Sequence, residues 1–221
     1  RLQRRDTEWT DTLQPALAEP IDLLEIGCEG VAQGDDLHNR TTGATQALAE
    51  RLLARYAKLP ASDRTRSDAP MSTLASTRLF LLTLWMAAAR LMLSAAEDGE
   101  PGTLITSMGG NGEVFGVALA RHPHAWHTVP ALPPQGPRLD PALSSFAPLG
   151  AIGDSAVIDA LGFGGQALAF APEPRAQLES HLPASSMPCT LLEAAHPAFA
   201  RVGARVGLDA ARIATSPVLP V

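Results

Sequence analysis

Residues 73–96 form a stretch that is apolar on nearly every side, and this stretch constrains the fold more than any other part of the chain. Its spacing and composition predict one long helix that ends at Glu97-Asp98-Gly99-Glu100-Pro101-Gly102. A helix with so little polar surface is normally buried inside a domain or in a subunit interface. Its most apolar run, residues 79–93, is interrupted by Arg90 and falls short of the roughly 20 residues that a membrane span requires. We therefore expect a globular domain built around this helix.

Composition and charge exclude several classes of protein. The 221 residues carry 17 Lys or Arg against 23 Asp or Glu, a net charge of −6, and contain no basic tract. Nucleic acid is therefore not an expected partner, because no surface would neutralise its phosphates. Neither a signal peptide pattern nor a membrane segment is present, and the two cysteines, Cys28 and Cys189, indicate buried thiols in a reducing compartment. These features predict a cytoplasmic protein.

Helical periodicity is clearest over residues 41–58. Thr41 or Thr42 suits the N-cap of this helix, and the cations near Lys58 suit the negative end of its dipole. One face is apolar and consists of Ala44, Leu48, Leu52 and Tyr56. Earlier in the chain, an apolar run at 21–26 leads into Gly27-Cys28-Glu29-Gly30. That order indicates a strand or a helix end followed by a turn-rich loop.

The second half of the chain contains runs typical of strands. Residues 103–108 and 113–119 are joined by Gly109-Gly110-Asn111-Gly112, and Asn-Gly is a strong hairpin signal. Residues 121–150 are rich in His and Pro and are predicted to be irregular, whereas 156–161 suit a short helix capped by Asp154 or Ser155. Helices followed by a hairpin favour an α+β fold with buried helices, a small and mainly antiparallel sheet, and glycine-rich loops. We divide the chain into an arm or linker at 1–20, a helical segment at 21–100 and an α+β domain at 101–221, the last two sharing one core.

Three histidines form a possible metal motif. His122, His124 and His127 have the H-x-H-x-x-H spacing of the first metal segment of metallo-β-lactamases. Trp126 stands where those enzymes have an Asp ligand, and no matching His/Asp segment follows later in the chain. We therefore favour solvated loop histidines and no metal, with a metal-dependent hydrolase as an alternative.

Gly153-Asp154-Ser155 resembles the nucleophile segment of the GDSL hydrolases. In that family Asp-x-x-His follows near the end of the domain, but no Asp after Ser155 is followed by His three residues later. Because no base for the hydroxyl is evident, the nucleophile interpretation is weak and a helix cap explains the segment at least as well.

Ser76-Thr77-Arg78 resembles the start of the phosphate-binding segment of ordinary transcarbamoylases. The second Thr-Arg pair of that segment is replaced by Leu79-Phe80, and the residues continue into the apolar helix. We interpret this likeness as chance.

Three polar segments marked by glycine remain. Gly34-Asp35-Asp36-Leu37-His38-Asn39-Arg40 precedes a helix and holds more polar groups than one cap requires, which indicates either a buried salt-bridge network or a polar ligand site. The other two segments are Gly109-Gly110-Asn111-Gly112-Glu113 and Gly153-Asp154-Ser155 with Gly162-Phe163-Gly164-Gly165. Both allow backbone N–H groups to approach an anion or a carbonyl oxygen.

In this order the segments resemble the YlbE/AllG-like family. The family stretch Gly-Asp-Glu-x-His-Asn-Arg is similar to residues 34–40, and further similar blocks stand at 86–90, 111–116, 152–156, 162–172 and 203–209. The resemblance runs from about residue 24 to the C-terminus and covers the C-terminal half of the family's members. Gly110 departs from the family by replacing a common Arg, and Asp36 and Asp159 replace Glu.

The resemblance implies a subunit of a carbamoyltransferase that moves a carbamoyl group between phosphate and an amide such as oxamate, without a cofactor. It implies a small polar or anionic substrate, a homo-oligomer and further subunit types. His38 becomes the general base, oriented by Asp36 or Asp35, and Arg40 the charged clamp. The remaining substrate-binding roles fall to Asp35, Asn39, Asn111, Gly112, Asp154, Ser155, Gly164 and Gly165.

Two consequences of this assignment concern the arrangement of the molecule. The three polar segments are expected to converge on one pocket. If they do not, the chain is better explained as a non-catalytic scaffold or oligomerisation subunit whose apolar helix forms the contact.

Overall fold

The computed structural model describes residues 11, 13–64, 73–74, 76–99, 102–133, 141–182 and 191–215. Its helices are α1 (Leu23–Ala32), α2 (Thr42–Lys58), α3 (Phe80–Ser94), α4 (Ala156–Leu161), α5 (Pro172–Leu178) and α6 (Ala210–Thr215). Its strands are β1 (Ile105–Asn111), β2 (Val114–Leu119), β3 (His122–Pro130), β4 (Ile152–Gly153), β5 (Leu192–Ala195) and β6 (Arg205–Leu208). The predicted α+β class is confirmed.

Helix α1 lies where the sequence indicated a turn-rich loop, so that prediction was wrong. Asp22 begins the helix by accepting hydrogen bonds from two backbone N–H groups of the first turn. Gly27 and Gly30 serve close packing: a Cβ on Gly27 would lie 2.6 Å from the ring of Trp85, and one on Gly30 would lie 2.5 Å from Cβ of Ala44. These glycines let α1 approach α3 and α2.

Helix α2 confirms the predicted bounds and the predicted apolar face, whose four residues are all buried. Thr41 is the N-cap residue, but its hydroxyl donates to the carbonyl oxygen of Arg78 at 3.1 Å instead of capping the helix. The residues before α1 are attached to α2 through Arg55. Its side chain donates to the carbonyl oxygens of Ala16 at 3.2 Å and Pro20 at 2.8 Å. Residues 1–10 and 12 of the predicted arm lie outside the described residues.

Helix α3 begins at Phe80 rather than at residue 73, and it is buried on one face only. Leu81, Trp85, Ala89 and Leu93 are buried at intervals of four, whereas Leu84 and Leu91 are 38% and 73% exposed. The predicted burial inside the domain therefore holds for one face, and burial of the other face in a subunit interface stays a prediction. None of the helices in the described part of the chain is long and apolar enough to cross a membrane.

The predicted hairpin is confirmed as β1 and β2, which belong to an antiparallel sheet of order β3-β2-β1-β4. The turn contains Gly112 with φ +89°, a conformation that favours glycine. Residues 122–130 form β3 beside β2, so the prediction of an irregular segment was wrong there. A second pair, β5 and β6, completes the described strands.

An aromatic cluster joins the helices to the region after α4. The buried ring of Trp85 makes edge contacts with Phe163 at 5.4 Å and Phe199 at 6.2 Å between ring centroids, and the latter two are 5.0 Å apart. Buried residues from both sides of position 100 belong to one hydrophobic cluster. The position of Phe163 anchors the glycines that follow it. The division of the chain into an arm and two segments stays a prediction.

Candidate functional site

His38 lies between two side chains at the start of α4. Its Nε2 atom is 2.9 Å from Oγ of Ser155, and its Nδ1 atom is 2.8 Å from Oδ2 of Asp159. Ser155 and Asp159 stand four positions apart, so they share one face of the helical turn. The side chain of His38 is 23% exposed and that of Asp159 is 15% exposed. We call Ser155, His38 and Asp159 the triad.

The loop that carries His38, residues 34–40, is held by the carboxylate of Asp36. Oδ1 of Asp36 accepts hydrogen bonds from the backbone N–H groups of His38 at 3.0 Å and Arg40 at 2.8 Å. Its Oδ2 atom accepts from Nδ2 of Asn39 at 2.9 Å. Leu37 has a φ of +62° in this tight turn and a fully buried side chain. Asp36 therefore shapes the backbone of the His38 loop.

The carboxylate that faces the imidazole is that of Asp159, which corrects the expectation that Asp36 or Asp35 orients His38. Asp159 is fixed in turn, because its Oδ1 atom accepts the backbone N–H of Gly165 at 3.0 Å. The N–H of Gly164 donates to the carbonyl oxygen of Asp36 at 2.7 Å. Gly164 and Gly165, expected to offer N–H groups to a substrate, thus use them to join the two halves of the site.

Gly164 is a position where any side chain would disturb the triad. Its φ is +63°, and a Cβ there would lie 2.4 Å from Oδ1 of Asp159 and 3.0 Å from Nδ1 of His38. Gly164→Ala is expected to destabilise the protein by about 1–3 kcal/mol and to separate Asp159 from His38. Urea unfolding measures the first effect, and the chemical shifts of the His38 ring measure the second.

Gly203→Ala is the matched control for this prediction. Gly203 also has a positive φ, +70°, but a Cβ there would meet nothing within 4 Å. It therefore reports the backbone strain without the steric contact. Equal losses of stability in the two variants, with an unchanged His38 signal, would contradict the role assigned to Gly164.

Two opposing effects set the pKa of His38. Burial lowers the pKa, but the hydrogen bond and charge of Asp159, together with the charge of Asp36, outweigh burial and raise the net pKa above its usual value. The carboxylate of Asp159 accepts the Nδ1–H, which leaves Nε2 of the neutral ring as the acceptor toward the Ser155 hydroxyl. His38 is therefore oriented to take a proton at Nε2.

Asp35 serves a different purpose from His38, although both lie in the same loop. It is fully buried, it accepts the N–H groups of Gly43 at 3.1 Å and Ala44 at 2.7 Å, and it pairs with Nη1 of Arg40. Burial raises the pKa of Asp35 against the effect of these bonds. Nε of Arg40 also pairs with Glu173 at 3.0 Å. This is the buried salt-bridge network that the sequence left open as one alternative.

A cleft of about 300 Å³ adjoins the His38 loop. We call it the anion cleft, and its lining residues are Asn39, Arg40, Thr42, Arg78, Leu79, Glu173, Pro174 and Gln177. Arg78 is exposed, and among the described residues no acidic side chain pairs with it. The hydroxyls of Thr41 and Thr45 donate to its carbonyl oxygen at 3.1 and 3.4 Å and hold its backbone. Arg40 is already paired with Asp35 and Glu173, so Arg78 is the lining guanidinium that is left to bind a small anion.

The Asn-Gly turn is connected to the site only through the sheet. Neither Asn111 nor Gly112 lines the anion cleft, so the predicted convergence of three polar segments on one pocket is not met by this segment, whereas the His38 loop and the start of α4 do meet. Oδ1 of Asn111 accepts the N–H groups of Glu113 at 3.0 Å and Val114 at 2.8 Å, and Gly112 donates to the carbonyl oxygen of Ala151 at 3.1 Å. These bonds stabilise the turn itself instead of extending toward His38. The pairing of Gly110 with Gly153 connects the hairpin to the strand that leads into the exposed Asp154 and into Ser155.

The three histidines of the possible metal motif lie exposed on β3, not in a loop. Cys28 is buried, as expected, and Cys189 lies outside the described residues. Nowhere in the described residues do three or more His, Cys, Asp or Glu side chains come together as a group that could hold a metal ion. The hydrolase alternative therefore has no assembled metal centre among these residues.

Two residues of the site were missed by sequence reasoning. Asp159 was noted only as a departure from the family, although its position four residues after Ser155 placed both on one helical face. Arg78 belongs to a segment whose likeness to the transcarbamoylases we interpret as chance, because Leu79-Phe80 replaces the second Thr-Arg pair. The spacing signal could have identified Asp159, whereas the position of Arg78 depends on how α2 packs beside the start of α3.

Comparisons with known proteins agree with the resemblance seen in the sequence. The family model described as "Oxamate carbamoyltransferase subunit AllG" matches residues 1–155, which include His38 and Ser155. AllG of Escherichia coli (strain K12) is 30% identical over 169 residues, 73% of this chain and 40% of that protein. The uncharacterized protein YahG of the same organism is 32% identical over 152 residues, 69% of this chain and 32% of that protein.

A solved structure has the same fold. It is the crystal structure of a conserved protein of unknown function from Enterococcus faecalis V583, with a TM-score of 0.74 and 24% sequence identity. The match covers 98% of this chain and 55% of that one. The chain thus spans 32–40% of the curated relatives and about half of the solved one.

Proposed function

The chain belongs to the family of the oxamate carbamoyltransferase subunit AllG, and we propose that it is part of a carbamoyltransferase subunit. Its reaction transfers a carbamoyl group between carbamoyl phosphate and a small amide or carboxylate such as oxamate. The chain works in a complex with further subunits, as the word subunit in the name of its relative suggests. The observation that carries the proposal is a histidine held by a carboxylate, in a loop whose next two residues line a cleft that also contains Arg78.

Transfer to an amide nitrogen makes two demands on the protein. The nitrogen is a weak nucleophile, so a base must take its proton, and Nε2 of His38 is the atom oriented for this. The donor and the acceptor are anions, so cations must hold them. Arg78 of the anion cleft supplies this charge, since Arg40 is already paired with Asp35 and Glu173, and a guanidinium binds phosphate or carboxylate through two parallel hydrogen bonds. The proposal needs no cofactor.

The test is an assay of phosphate release from carbamoyl phosphate. The chain is purified alone and together with the proteins that its neighbouring genes encode, and the release is measured with and without oxamate. We expect release that depends on oxamate and on the presence of this chain. Release that is unchanged when the chain is omitted, or when oxamate is omitted, would contradict the proposal.

Arg78→Ala is expected to weaken the binding of carbamoyl phosphate. Loss of a charged hydrogen bond to the substrate should raise KM by about 10- to 100-fold while kcat changes little. Steady-state kinetics measure both constants. Arg121→Ala is the control, because Arg121 is an exposed arginine that does not line the cleft. If KM changes equally in both variants, or in neither, Arg78 does not hold the anion.

The reaction rate is expected to rise with pH through the pKa of His38, because only the neutral imidazole accepts a proton. Asp159 and Asp36 hold this pKa above the ordinary value, so the half-maximal rate should fall above about pH 6.5. Asp159→Asn removes one of these charges and should move the midpoint to lower pH. A pH profile of kcat/KM measures the shift, with the exposed Asp98→Asn as the control. Identical midpoints in wild type and Asp159→Asn would rule out this pairing.

A second candidate function is assembly without chemistry, favoured by the apolar side chains that α3 exposes. Leu84 and Leu91 are 38% and 73% exposed, and Ala87 lies on the same helix face between them. In that case Leu91→Asp should dissociate an oligomer in light scattering, and Ala substitution of His38 should leave the activity of the complex unchanged. The catalytic proposal predicts instead that Ala substitution of His38 lowers the activity of the complex.

A further inference from the structure

We infer that Ser155 is a nucleophile activated by His38 and Asp159, and that it takes up the transferred group covalently before the acceptor receives it. That the group is carbamoyl rests on the proposed function. The reactivity of the hydroxyl rests only on the triad. The site would therefore accept a small compound with an electrophilic carbonyl carbon. A fluorophosphonate, whose phosphorus reacts with activated serines, can serve as a probe.

The geometry of the triad supports this role directly. The hydroxyl oxygen of Ser155 is 2.9 Å from Nε2 of His38, and the opposite ring nitrogen is 2.8 Å from Asp159. A nucleophile, a base and an orienting carboxylate at hydrogen-bond distances form the arrangement that activates serine on unrelated folds. The base comes from a loop 117 residues earlier in the chain. For this reason a search for His after Ser155 could not find it.

The hydroxyl of Ser155 does not cap helix α4, although the sequence suggested that role for it. Ser155 is the N-cap residue of α4, yet its side chain makes no capping hydrogen bond. The N–H groups of Val157 and Ile158 donate to the backbone carbonyl oxygens of Asp154 and Ser155 instead, at 3.2 and 2.9 Å. A serine present only to cap the helix would direct its oxygen toward these N–H groups. Here the oxygen faces His38.

The residues around the triad keep the imidazole in place. Asp36 holds the backbone of His38, Gly165 holds the carboxylate of Asp159, and the absence of a side chain at Gly164 leaves room for both. The side chain of His38 remains 23% exposed, so part of the ring is accessible to solvent. The imidazole is thus held by hydrogen bonds on the side of the carboxylate and is partly accessible to solvent.

The covalent step is balanced as follows. Oγ of Ser155 attacks the carbonyl carbon of carbamoyl phosphate while its proton passes to Nε2 of His38. The bond between that carbon and the phosphate oxygen breaks, phosphate leaves, and His38 returns the proton to it. In the second half, the acceptor amide attacks the carbamoyl carbon and gives a proton to His38. The carbon–Oγ bond breaks, and Oγ recovers that proton, so no oxidant or reductant takes part.

Two probes test this inference on the full chain. A fluorophosphonate reports the reactivity of Ser155 whatever the natural substrate is, and carbamoyl phosphate followed by acid quenching reports a carbamoyl adduct. Peptide mass spectrometry locates either modification. The variants are Ser155→Ala, His38→Ala and Asp159→Asn, with thermal unfolding as the check of their fold. The exposed Ser145 is the internal control, since a nonspecific reagent would modify it as well.

We expect both probes to modify Ser155 in the wild type and to leave Ser145 unmodified. Labelling should fall at least about 100-fold in His38→Ala and less in Asp159→Asn, because the first variant removes the base and the second only its orienting partner. Labelling that is equal in wild type and His38→Ala overturns the inference. So does oxamate-dependent phosphate release that continues unchanged in Ser155→Ala, and in that case the proposed function stands.

The opposite combination separates the two proposals. If the fluorophosphonate labels Ser155 in a His38-dependent way but neither a carbamoyl adduct nor phosphate release is seen, the nucleophile is established and carbamoyl transfer is wrong. Absence of labelling together with absence of phosphate release overturns both. Restoration of slow labelling in His38→Ala by added imidazole would distinguish a missing base from a damaged fold.

Discussion

His38→Ala is expected to slow phosphate release by on the order of 10²–10⁴-fold, the usual contribution of a general base. The reason is local: alanine removes the only group that contacts both Asp159 and Ser155 within the triad. Initial rates at saturating carbamoyl phosphate and oxamate measure this effect. The loss should appear in kcat, because the anion cleft, where we propose that the donor binds, is lined by other side chains.

The control for His38→Ala is His124→Ala, which replaces an exposed histidine of β3. Its rate should equal that of the wild type. Added imidazole should restore part of the activity to His38→Ala alone, as a small base can occupy the space that the side chain leaves. A rate within a few-fold of wild type would remove His38 from the mechanism, even if the protein remains a subunit of the enzyme.

Asp35→Ala is expected to lower the free energy of unfolding by about 3–5 kcal/mol, the range for breaking a buried ion pair. The variant would leave Arg40 without its buried partner and the N–H groups of Gly43 and Ala44 without an acceptor. Gly30 and Gly43 are tightly packed against the carboxylate, so a shorter side chain also leaves a gap there. Urea unfolding of the purified chain measures the loss.

Asp98→Ala is the control for Asp35→Ala, because Asp98 is exposed just after the end of α3. Its effect should stay within about 0.5 kcal/mol, as for most surface substitutions. A loss below about 1 kcal/mol in Asp35→Ala would show that water replaces the carboxylate and that the network is not structural. Asp35 would then become a candidate for direct contact with the substrate.

Elements whose signal lies within a few residues were predictable. Helix α2, its buried face from Ala44 to Tyr56, the hairpin at Gly112 and the short helix α4 all follow from local spacing and turn chemistry. Helix α1 was not predictable in this way. Gly27 and Gly30 have the composition of a turn, and only their contacts with Trp85 and Ala44 show that they are packing positions.

The apolar stretch around α3 shows the same division. Its composition indicated burial, but it could not tell which faces meet other elements, since that depends on where α2, α4 and β1 pack. Leu81 and Trp85 are covered, whereas Leu91 is exposed. Strand β3 was missed because His and Pro predict loops, and it forms by pairing with β2.

For the candidate site, the order of amino acids was enough to identify His38, Ser155 and their polar neighbours as chemically unusual, and it carried the likeness to the family. It could not assign partners. Four residues of one loop, Asp35, Asp36, His38 and Arg40, carry carboxylate, imidazole and guanidinium groups, and local spacing does not determine which of these groups pair. The pairs are determined by the packing of α4 against the loop. In this arrangement Asp159 contacts the imidazole of His38, and Asp35 pairs with Arg40. Such contacts between distant segments arise from packing of the whole core, so they become visible only in three dimensions.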